Sequence, residues 1–184
     1  MKNNLNYFNL WFTGLSGSGK TTSSLKVSDY LNSISKAHEV LDGDVYRAIL
    51  SPNANYSEKE RDAFRKKIIY LARILNKHGI SCIIPLLSSS QSIRDLARQE
   101  LQNFVEVYVK CPVEVCIQRD PKGLYHRRKM GLETSVVGID IPYEEPASPE
   151  IVIETNSQSL DTTVKIILDK LSRLNYLDKV FIDK

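Results

Sequence analysis

Short apolar runs alternate with stretches of helical periodicity along the chain. The predicted strands lie at residues 7–12, 39–41, 80–87, 105–109 and 151–153. The predicted amphipathic helices place their apolar positions at residues 25–34, 64–75 and 160–174, and the second of them begins at a capping box of Ser57 and Glu60. Because strands and helices alternate, the pattern predicts an α/β fold, a parallel sheet flanked by helices with ligands at the carboxyl ends of the strands.

Composition limits both the size of the fold and its partners. The 184 residues, 42% of them hydrophobic, predict one domain with a full core over residues 1–184. The net charge is only +3, so we expect no nucleic-acid partner. No apolar stretch reaches the ~18 residues of a membrane span, and residues 1–9 lack the apolar core of a signal peptide. We therefore expect a cytoplasmic protein without a membrane partner.

The cysteines agree with this location. Cys82, Cys111 and Cys116 lie in or beside apolar runs, and none of them forms the C-x-x-C pair of a redox or metal site. Buried free thiols in a reducing compartment are the simplest interpretation.

A phosphate-binding motif follows the first predicted strand. The segment from Gly14 to Thr21 fits G-x-x-x-x-G-K-[ST] and leads directly into a predicted helix, which a chance glycine-rich turn does not require. In such a loop the backbone N–H groups surround phosphates, Lys20 reaches the β- and γ-phosphates, and Thr21 holds Mg²⁺. The predicted nucleotide-binding residues are Gly14, Ser16, Gly17, Ser18, Gly19, Lys20, Thr21 and Thr22.

Other features favour a kinase over other P-loop proteins. Asn76-Lys77 leads into His78 and not into the Asn-Lys-x-Asp guanine reader of a GTPase, and residues 88–90 lack the acidic residue of an ordinary Walker B strand. Asp42 and Asp44 instead end the second predicted strand, where a carboxylate can meet an acceptor hydroxyl. The alternative for this pair is a simple Asp-Gly turn.

A basic stretch in the second half of the chain predicts a lid. Lys122, Arg127 and Arg128 lie in a polar segment punctuated by Gly123 and Gly131. Closing over the site, these cations would neutralise charge on the transferring phosphoryl group. A solvated basic loop is the alternative for this segment.

Several segments together resemble the adenylylsulfate kinase family, which makes 3′-phosphoadenylyl sulfate. They are residues 12–22, 41–47, 56–61, 93–98, 119–125 and 138–144, so the likeness covers nearly the whole chain. Most specific are residues 119–125 followed by Gly138-Ile139-Asp140, which are similar to the family's lid and the loop after it. The resemblance implies ATP and Mg²⁺, a five-stranded P-loop kinase fold like that of nucleoside kinases with a lid, a homodimer, and transfer to a ribose 3′-hydroxyl.

The resemblance also implies roles for individual residues. Asp44 matches the catalytic aspartate, alongside Lys20, and Arg47 and Arg61 match acceptor-binding arginines. Tyr56 takes the place of an aromatic residue that stacks on the acceptor base. The lid motif adds Arg119 to the expected ATP-binding residues and Lys122 to the expected acceptor-binding residues.

Departures from the family pattern cluster where the acceptor is expected. Phe64 stands in place of an asparagine, Val45 follows Asp-Gly-Asp in place of another asparagine, and Val136 replaces a phenylalanine that covers the acceptor's adenine. Residues 88–91 replace Ser-Pro-Tyr-Arg. Losing one aromatic face weakens base stacking by about 1–3 kcal/mol. We therefore expect Phe64, Ser88 and Val136 to contribute to a changed acceptor pocket.

These residues favour an ATP-dependent kinase with a changed nucleotide acceptor. The sequence is similar to a family branch of capsule phosphoramidate biosynthesis that phosphorylates cytidine 5′-diphosphoramidate, and Phe64 fills space that a larger base needs. This acceptor is the first expectation, and adenylyl sulfate is the alternative. A kinase for nucleoside monophosphates or small sugars also stays open. So does a non-catalytic ATP-binding switch, although it leaves Asp44 and the basic lid without a task.

Overall fold

The sheet is the frame on which the site is built, in a computed structural model that describes residues 7–53 and 57–178. The strands are β1 (Asn9–Thr13), β2 (His38–Val40), β3 (Ser81–Pro85), β4 (Phe104–Lys110) and β5 (Ile151–Glu154). They are all parallel and lie in the order β2-β3-β1-β4-β5. The predicted five-stranded parallel α/β fold is therefore confirmed.

Helices connect the strands along the chain. They are α1 (Lys20–Ser33), α2 (Gly43–Leu50), α3 (Glu58–Lys77), α4 (Gln91–Glu100), α5 (Val113–Arg119), α6 (Leu124–Lys129) and α7 (Leu160–Arg173). Within residues 7–53 and 57–178, every helix is too short or too polar to cross a membrane.

The central strand β1 is buried on both faces. Because successive side chains of a strand point to opposite sides, Leu10 and Phe12 enter one core while Trp11 enters the other. The first core is closed by α1 and α7, through residues such as Leu31 and Ile167. The second core is closed by residues of α3 and α4, namely Phe64, Ile68, Ile69, Ala72 and Ala97. Two covered faces explain why β1, β3 and β4 read as apolar runs and not as alternating patterns.

Helix α3 begins and ends where the sequence predicts. The Ser57 hydroxyl accepts a hydrogen bond from the N–H of Glu60 at 3.4 Å, which caps the first turn. Beyond Lys77, Gly79 takes a φ of 74°, and the chain turns into β3. The capping box thus fixes the entry of the helix that carries Arg61 and Phe64.

Two helices differ from the sequence pattern. In α1, Leu25 and Ile34 are about half exposed, and the buried face consists largely of serines around Val27 and Leu31. Helix α2 was not predicted, because its apolar side chains Val45 and Ile49 are exposed and give no core-facing periodicity. The small serines of α1 allow this helix to pack closely against its neighbours.

The prediction that the cysteines are buried and unpaired is confirmed. Cys82, Cys111 and Cys116 are all buried free thiols. Burial raises the pKa of Cys82 to about 12 and that of Cys116 to about 12, so both remain protonated at neutral pH.

A buried ion-pair network holds the loop after β3. The Nε of Arg94 lies 3.1 Å from Oε1 of Glu106, and both side chains are almost fully buried. Arg98 joins them to Glu150, whose carboxylate also accepts a hydrogen bond from the Glu106 N–H at 2.7 Å. The Arg94 guanidinium donates to the carbonyl of Ser88 at 2.7 Å. Helix α4 and strand β4 are thereby joined to the segments that follow β3 and precede β5.

We predict that Glu106→Gln lowers the free energy of unfolding at pH 7 by about 3 kcal/mol, because it leaves the buried Arg94 charge without its counterion. The matched control is Glu100→Gln, which removes the exposed ion pair with Arg73 and should cost less than about 1 kcal/mol. Urea denaturation followed by circular dichroism measures both. A loss for Glu106→Gln no larger than that of the control would contradict a charged pair at this position.

Candidate active site

A large cavity of about 1250 Å³ opens at the carboxyl ends of the described strands. Ordinary small-molecule pockets are about 300–1,000 Å³, so this one has room for two ligands side by side. The sequence-predicted residues that line it are Ser16, Gly17, Gly19, Lys20, Thr21, Thr22, Asp44, Arg47, Arg61, Phe64, Arg119 and Lys122. The cavity therefore brings the P-loop and the expected acceptor residues to one place.

Glycines allow the P-loop backbone to follow its path. Gly14 has a φ of 149°, and a Cβ at this position would lie 2.5 Å from the carbonyl oxygen of Val109 on β4. Gly19 has a φ of 97° directly before the first residue of α1. Side chains other than hydrogen are strained or excluded in both places. The loop thus rests on the end of β4 and aims the N-terminus of α1 into the cavity.

Lys20 is held against the loop that it follows. Its ammonium group donates to the carbonyl oxygens of Gly14 at 2.9 Å and Leu15 at 2.7 Å. Burial, together with the nearby Lys122 ammonium, lowers the pKa of Lys20 to about 8. A bound phosphate would reverse this shift because it supplies the opposite charge.

Gly14 and Ser18 belong to the predicted P-loop, but they do not line the cavity. The Ser18 carbonyl accepts a hydrogen bond from the Thr155 hydroxyl at 2.7 Å, and the Ser16 carbonyl accepts one from the Tyr125 hydroxyl at 2.9 Å. These bonds fix the P-loop to the segment after β5 and to helix α6.

Thr155 was missed by the sequence analysis. It accepts two hydrogen bonds from the Arg119 guanidinium, one to its carbonyl oxygen at 2.7 Å and one to its hydroxyl at 3.1 Å. Arg119 is thereby held at the cavity wall on the P-loop side. The signal was available, because Thr155 comes two residues after the predicted strand at residues 151–153, and functional residues of such sheets lie after the strands.

Asp42 and Asp44 face different neighbours. The Thr21 hydroxyl donates to Oδ2 of Asp42 at 3.3 Å, while Oδ1 of Asp42 accepts the N–H groups of Asp44 and Val45 at the start of α2. Asp44 instead forms an ion pair with Lys122 of the lid segment, residues 119–131. A hydroxyl and a carboxylate are hard oxygen ligands of the kind Mg²⁺ prefers, so Thr21 and Asp42 fit this ion.

Arg47, Arg61 and Phe64 also line the cavity, and the part around them is the acceptor half. The Arg47 guanidinium lies over the Phe64 ring, 4.6 Å from its centroid, and Phe64 is 1% exposed. The Arg61 guanidinium donates to the Ser135 carbonyl at 2.8 Å. Arg65, which the sequence analysis missed, is buried and donates twice to the Leu87 carbonyl, at 3.1 and 2.8 Å.

Two predicted acceptor residues do not line the cavity. Ser88 is fully buried, and its hydroxyl accepts a hydrogen bond from the indole N–H of Trp11 at 3.1 Å. Val136 packs against Cys116 and Tyr125, and the next residue, Val137, lines the cavity in its place. The sequence could not tell which of two adjacent valines faces inward, because this segment has no regular period. Tyr56, the predicted stacking residue, lies outside the described residues.

The lid cations divide into two groups. Arg127 lines the cavity and donates to the Lys122 carbonyl at 2.7 Å. Arg128, in contrast, forms an ion pair of 2.7 Å with Asp140, whose carboxylate also accepts the Val136 N–H. The expectation that Arg128 neutralises the phosphoryl group is therefore replaced by a role in holding the loop after the lid.

Comparisons with known proteins identify the family of the chain. The sequence profile of the adenylylsulphate kinase family matches residues 6–154. The chain is 41% identical over 168 residues to the adenylyl-sulfate kinase of Synechococcus sp. (strain JA-3-3Ab), covering 91% of this chain and 96% of that relative. It is 39% identical over 170 residues to the probable adenylyl-sulfate kinase of Pyrococcus abyssi (strain GE5 / Orsay), covering 92% and 98%.

A solved structure is similar over the same extent. The Mycobacterium tuberculosis APS kinase CysC in complex with AMPPNP and APS superposes with a TM-score of 0.86 at 32% identity. The match covers 90% of this chain and 98% of that one. Sequence and structure therefore agree over almost the full length of both proteins.

We predict that affinity for Mg-ATP falls as the pH rises from 7 to about 9.5. The free protein loses the Lys20 proton above pH about 8, and the neutral amine no longer attracts phosphate, so the limiting slope is about tenfold per pH unit. Lys20→Arg is the control, because a guanidinium stays charged over this range. Equilibrium titration with a non-hydrolysable ATP analogue measures the profiles. Equal slopes for the two proteins would refute the assignment to Lys20.

Proposed function

The chain belongs to the adenylylsulphate kinase family, and on this premise we propose that it phosphorylates the ribose 3′-hydroxyl of adenylyl sulfate. It is an ATP-dependent phosphotransferase that acts on a hydroxyl group and uses Mg²⁺ with ATP. The observation that carries the proposal is that the P-loop, Asp44 and the two arginines Arg47 and Arg61 line one cavity. The homodimer expected from the family resemblance stays a prediction.

Asp44 supplies the oxygen that the acceptor hydroxyl needs. The 3′-hydroxyl would donate to the Asp44 carboxylate, which orients it toward the γ-phosphorus and receives its proton. A bond then forms between the 3′-oxygen and the γ-phosphorus, the bond to the β-phosphate oxygen breaks, and ADP leaves. Helix α2 holds Asp44 rigidly, because the Asp42 carboxylate caps its first turn.

Cations around the cavity stabilise the charge that the transfer spreads over phosphoryl oxygens. Lys20 lies on the P-loop side, and Lys122 and Arg127 lie on the lid side. Mg²⁺ bound near Thr21 and Asp42 would neutralise charge on the β- and γ-phosphates. Lys122 pairs with Oδ2 of Asp44, so opening of this ion pair on acceptor binding would free the Lys122 ammonium for the phosphoryl group.

Adenylyl sulfate is the acceptor that the comparisons favour. The relatives at 41% and 39% identity carry the name adenylyl-sulfate kinase, one as a probable assignment, and the solved relative was captured with APS. Arg47 and Arg61 line the acceptor half, where their planar forks suit the paired oxygens of a sulfate or phosphate.

Cytidine 5′-diphosphoramidate is a second candidate, which the wall of the acceptor half favours. Among the cavity-lining residues that the structure describes, Phe64 alone is aromatic, and Arg47 covers its ring. Val136, which replaces the family's stacking phenylalanine, is turned away, and the aliphatic Val137 lines the cavity. When fewer aromatic faces contact the base, the loss of stacking free energy is smaller for a small pyrimidine than for a larger purine.

The acceptor prediction is a difference in specificity. We expect kcat/KM for adenylyl sulfate to exceed that for cytidine 5′-diphosphoramidate by at least ~10-fold, which is about 1.4 kcal/mol of transition-state binding. A coupled ADP-release assay with each acceptor measures it, and Lys20→Ala supplies the background rate. The opposite preference would replace adenylyl sulfate with the cytidine compound and leave the 3′-hydroxyl kinase assignment intact.

Removing the charge of Asp44 and removing that of Asp42 should change the kinetics in different ways. Asp44→Asn should lower kcat by about 10²–10⁴-fold with little change in Mg-ATP affinity, because the amide no longer accepts the hydroxyl proton. Asp42→Asn should mainly raise the Mg²⁺ concentration that gives half-maximal activity. Steady-state kinetics over a Mg²⁺ titration separates the two effects. If Asp42→Asn at saturating Mg²⁺ lowered kcat more than Asp44→Asn, Asp44 would not be the catalytic carboxylate.

A further inference from the structure

The acceptor half of the cavity contains a carboxylate that the proposed reaction does not use. Among the described residues that line the cavity, the acidic side chains are Asp42, Asp44 and Glu133. Asp42 caps α2 and accepts from Thr21, and Asp44 pairs with Lys122. Within residues 7–53 and 57–178, Glu133 has no hydrogen-bond or ion-pair partner within 4 Å, so its oxygens are available to a ligand.

Contacts of the neighbouring residues place Glu133 on the acceptor side. Burial lowers the pKa of Arg61, and the Glu58 and Glu133 carboxylates oppose this shift, so Glu133 acts electrostatically on the same guanidinium. That guanidinium donates to the carbonyl of Ser135, two residues after Glu133. Phe64 lies one helical turn after Arg61 on α3, and both line the cavity. Glu133 therefore lines the part of the cavity that contains Arg61.

Charge decides which part of a nucleotide acceptor can approach Glu133. The anionic group at the 5′ position is repelled by a carboxylate and attracted by Arg47 and Arg61. The 3′-hydroxyl belongs at Asp44, beside the P-loop. The remaining part is the base, and an ionised carboxylate can only accept hydrogen bonds, so it needs a base edge that donates.

We propose that Glu133 is a specificity-determining residue that selects acceptors whose base carries an exocyclic amino group. The amino groups of adenine and cytosine donate to a carboxylate oxygen. Hypoxanthine and uracil carry keto oxygens at the corresponding positions, so a carboxylate there would bring two hydrogen-bond acceptors together. This inference rests on the proposed function in that the acceptor is a nucleotide, and it applies equally to adenylyl sulfate and to the cytidine compound.

The experiment compares matched amino and keto acceptors. The pairs are adenylyl sulfate with its hypoxanthine counterpart and cytidine 5′-diphosphoramidate with its uracil counterpart. We expect the wild-type protein to favour the amino member of its active pair by at least ~100-fold in kcat/KM, because a site built for one hydrogen bond rejects the analogue that lacks it. Glu133→Gln should narrow this ratio at least ~10-fold, since its amide both accepts from an amine and donates to a keto oxygen.

Two further variants complete the design. Glu133→Ala should narrow the ratio of kcat/KM between the amino and keto acceptors, because it lowers the activity with the amino acceptor. This result does not depend on how a glutamine side chain packs at the position. Glu114→Gln, on the exposed side of α5 and outside the cavity, removes the same charge and should leave the ratio unchanged. Thermal melts check that each variant folds; Glu133 is only half-buried, so we expect little change in Tm.

Binding measurements separate this inference from the proposed function. Dissociation constants for AMP against IMP and for CMP against UMP are measured by calorimetry with the same proteins, and they require no turnover. A wild-type preference for the amino member that Glu133→Gln abolishes supports the inference, even if no acceptor is phosphorylated. An equal loss for both members of a pair, with an unchanged ratio, would show that Glu133 acts only on Arg61 and would overturn it.

Discussion

The P-loop backbone lies in close contact with the carboxyl ends of β4 and β5, and the active-site geometry depends on this contact. Gly14 approaches the Val109 carbonyl so closely that a Cβ would lie at 2.5 Å, and the Thr155 hydroxyl binds the Ser18 carbonyl at 2.7 Å. The Tyr125 hydroxyl binds the Ser16 carbonyl and joins the lid segment to the same loop. Strand ends, lid and P-loop therefore share one frame, so a displacement of the loop would move the phosphate site relative to Asp44.

The same frame concentrates positive charge. Lys20, Lys122, Arg47, Arg61 and Arg127 line one cavity, and burial already lowers the pKa of Lys20 and of Arg61. Such a cluster is costly without anions, because each cation is partly removed from water and repels the others. ATP and an anionic acceptor relieve this repulsion when both are bound. The cluster thus favours anionic ligands, as phosphoryl transfer between nucleotides requires.

The sequence predicted the elements whose signals are local. Parallel strands buried on both faces appear as apolar runs, and the P-loop is a contiguous motif, so both could be read from the chain. Contacts that depend on packing could not be predicted from the sequence. Arg65 sits in an amphipathic helix pattern as an ordinary polar residue, although it is buried against the Leu87 carbonyl. Ser88 and Val136 were expected in the cavity, but Trp11 and the Cys116 cluster hold them below its surface.

These displaced residues bear on acceptor specificity. Phe64 is 1% exposed, and the Arg47 guanidinium lies over its ring. Where the family resemblance predicts an asparagine, this phenylalanine therefore extends the hydrophobic core and offers the face of its ring to an acceptor-binding arginine. Val136 leaves the wall, and Val137 gives it a small aliphatic surface. Because little aromatic surface is available for stacking, discrimination between bases depends on polar groups that contact the edge of the base. Glu133 is a cavity-lining carboxylate, and a hydrogen bond from a base to it would separate bases more sharply than a change in pocket volume does.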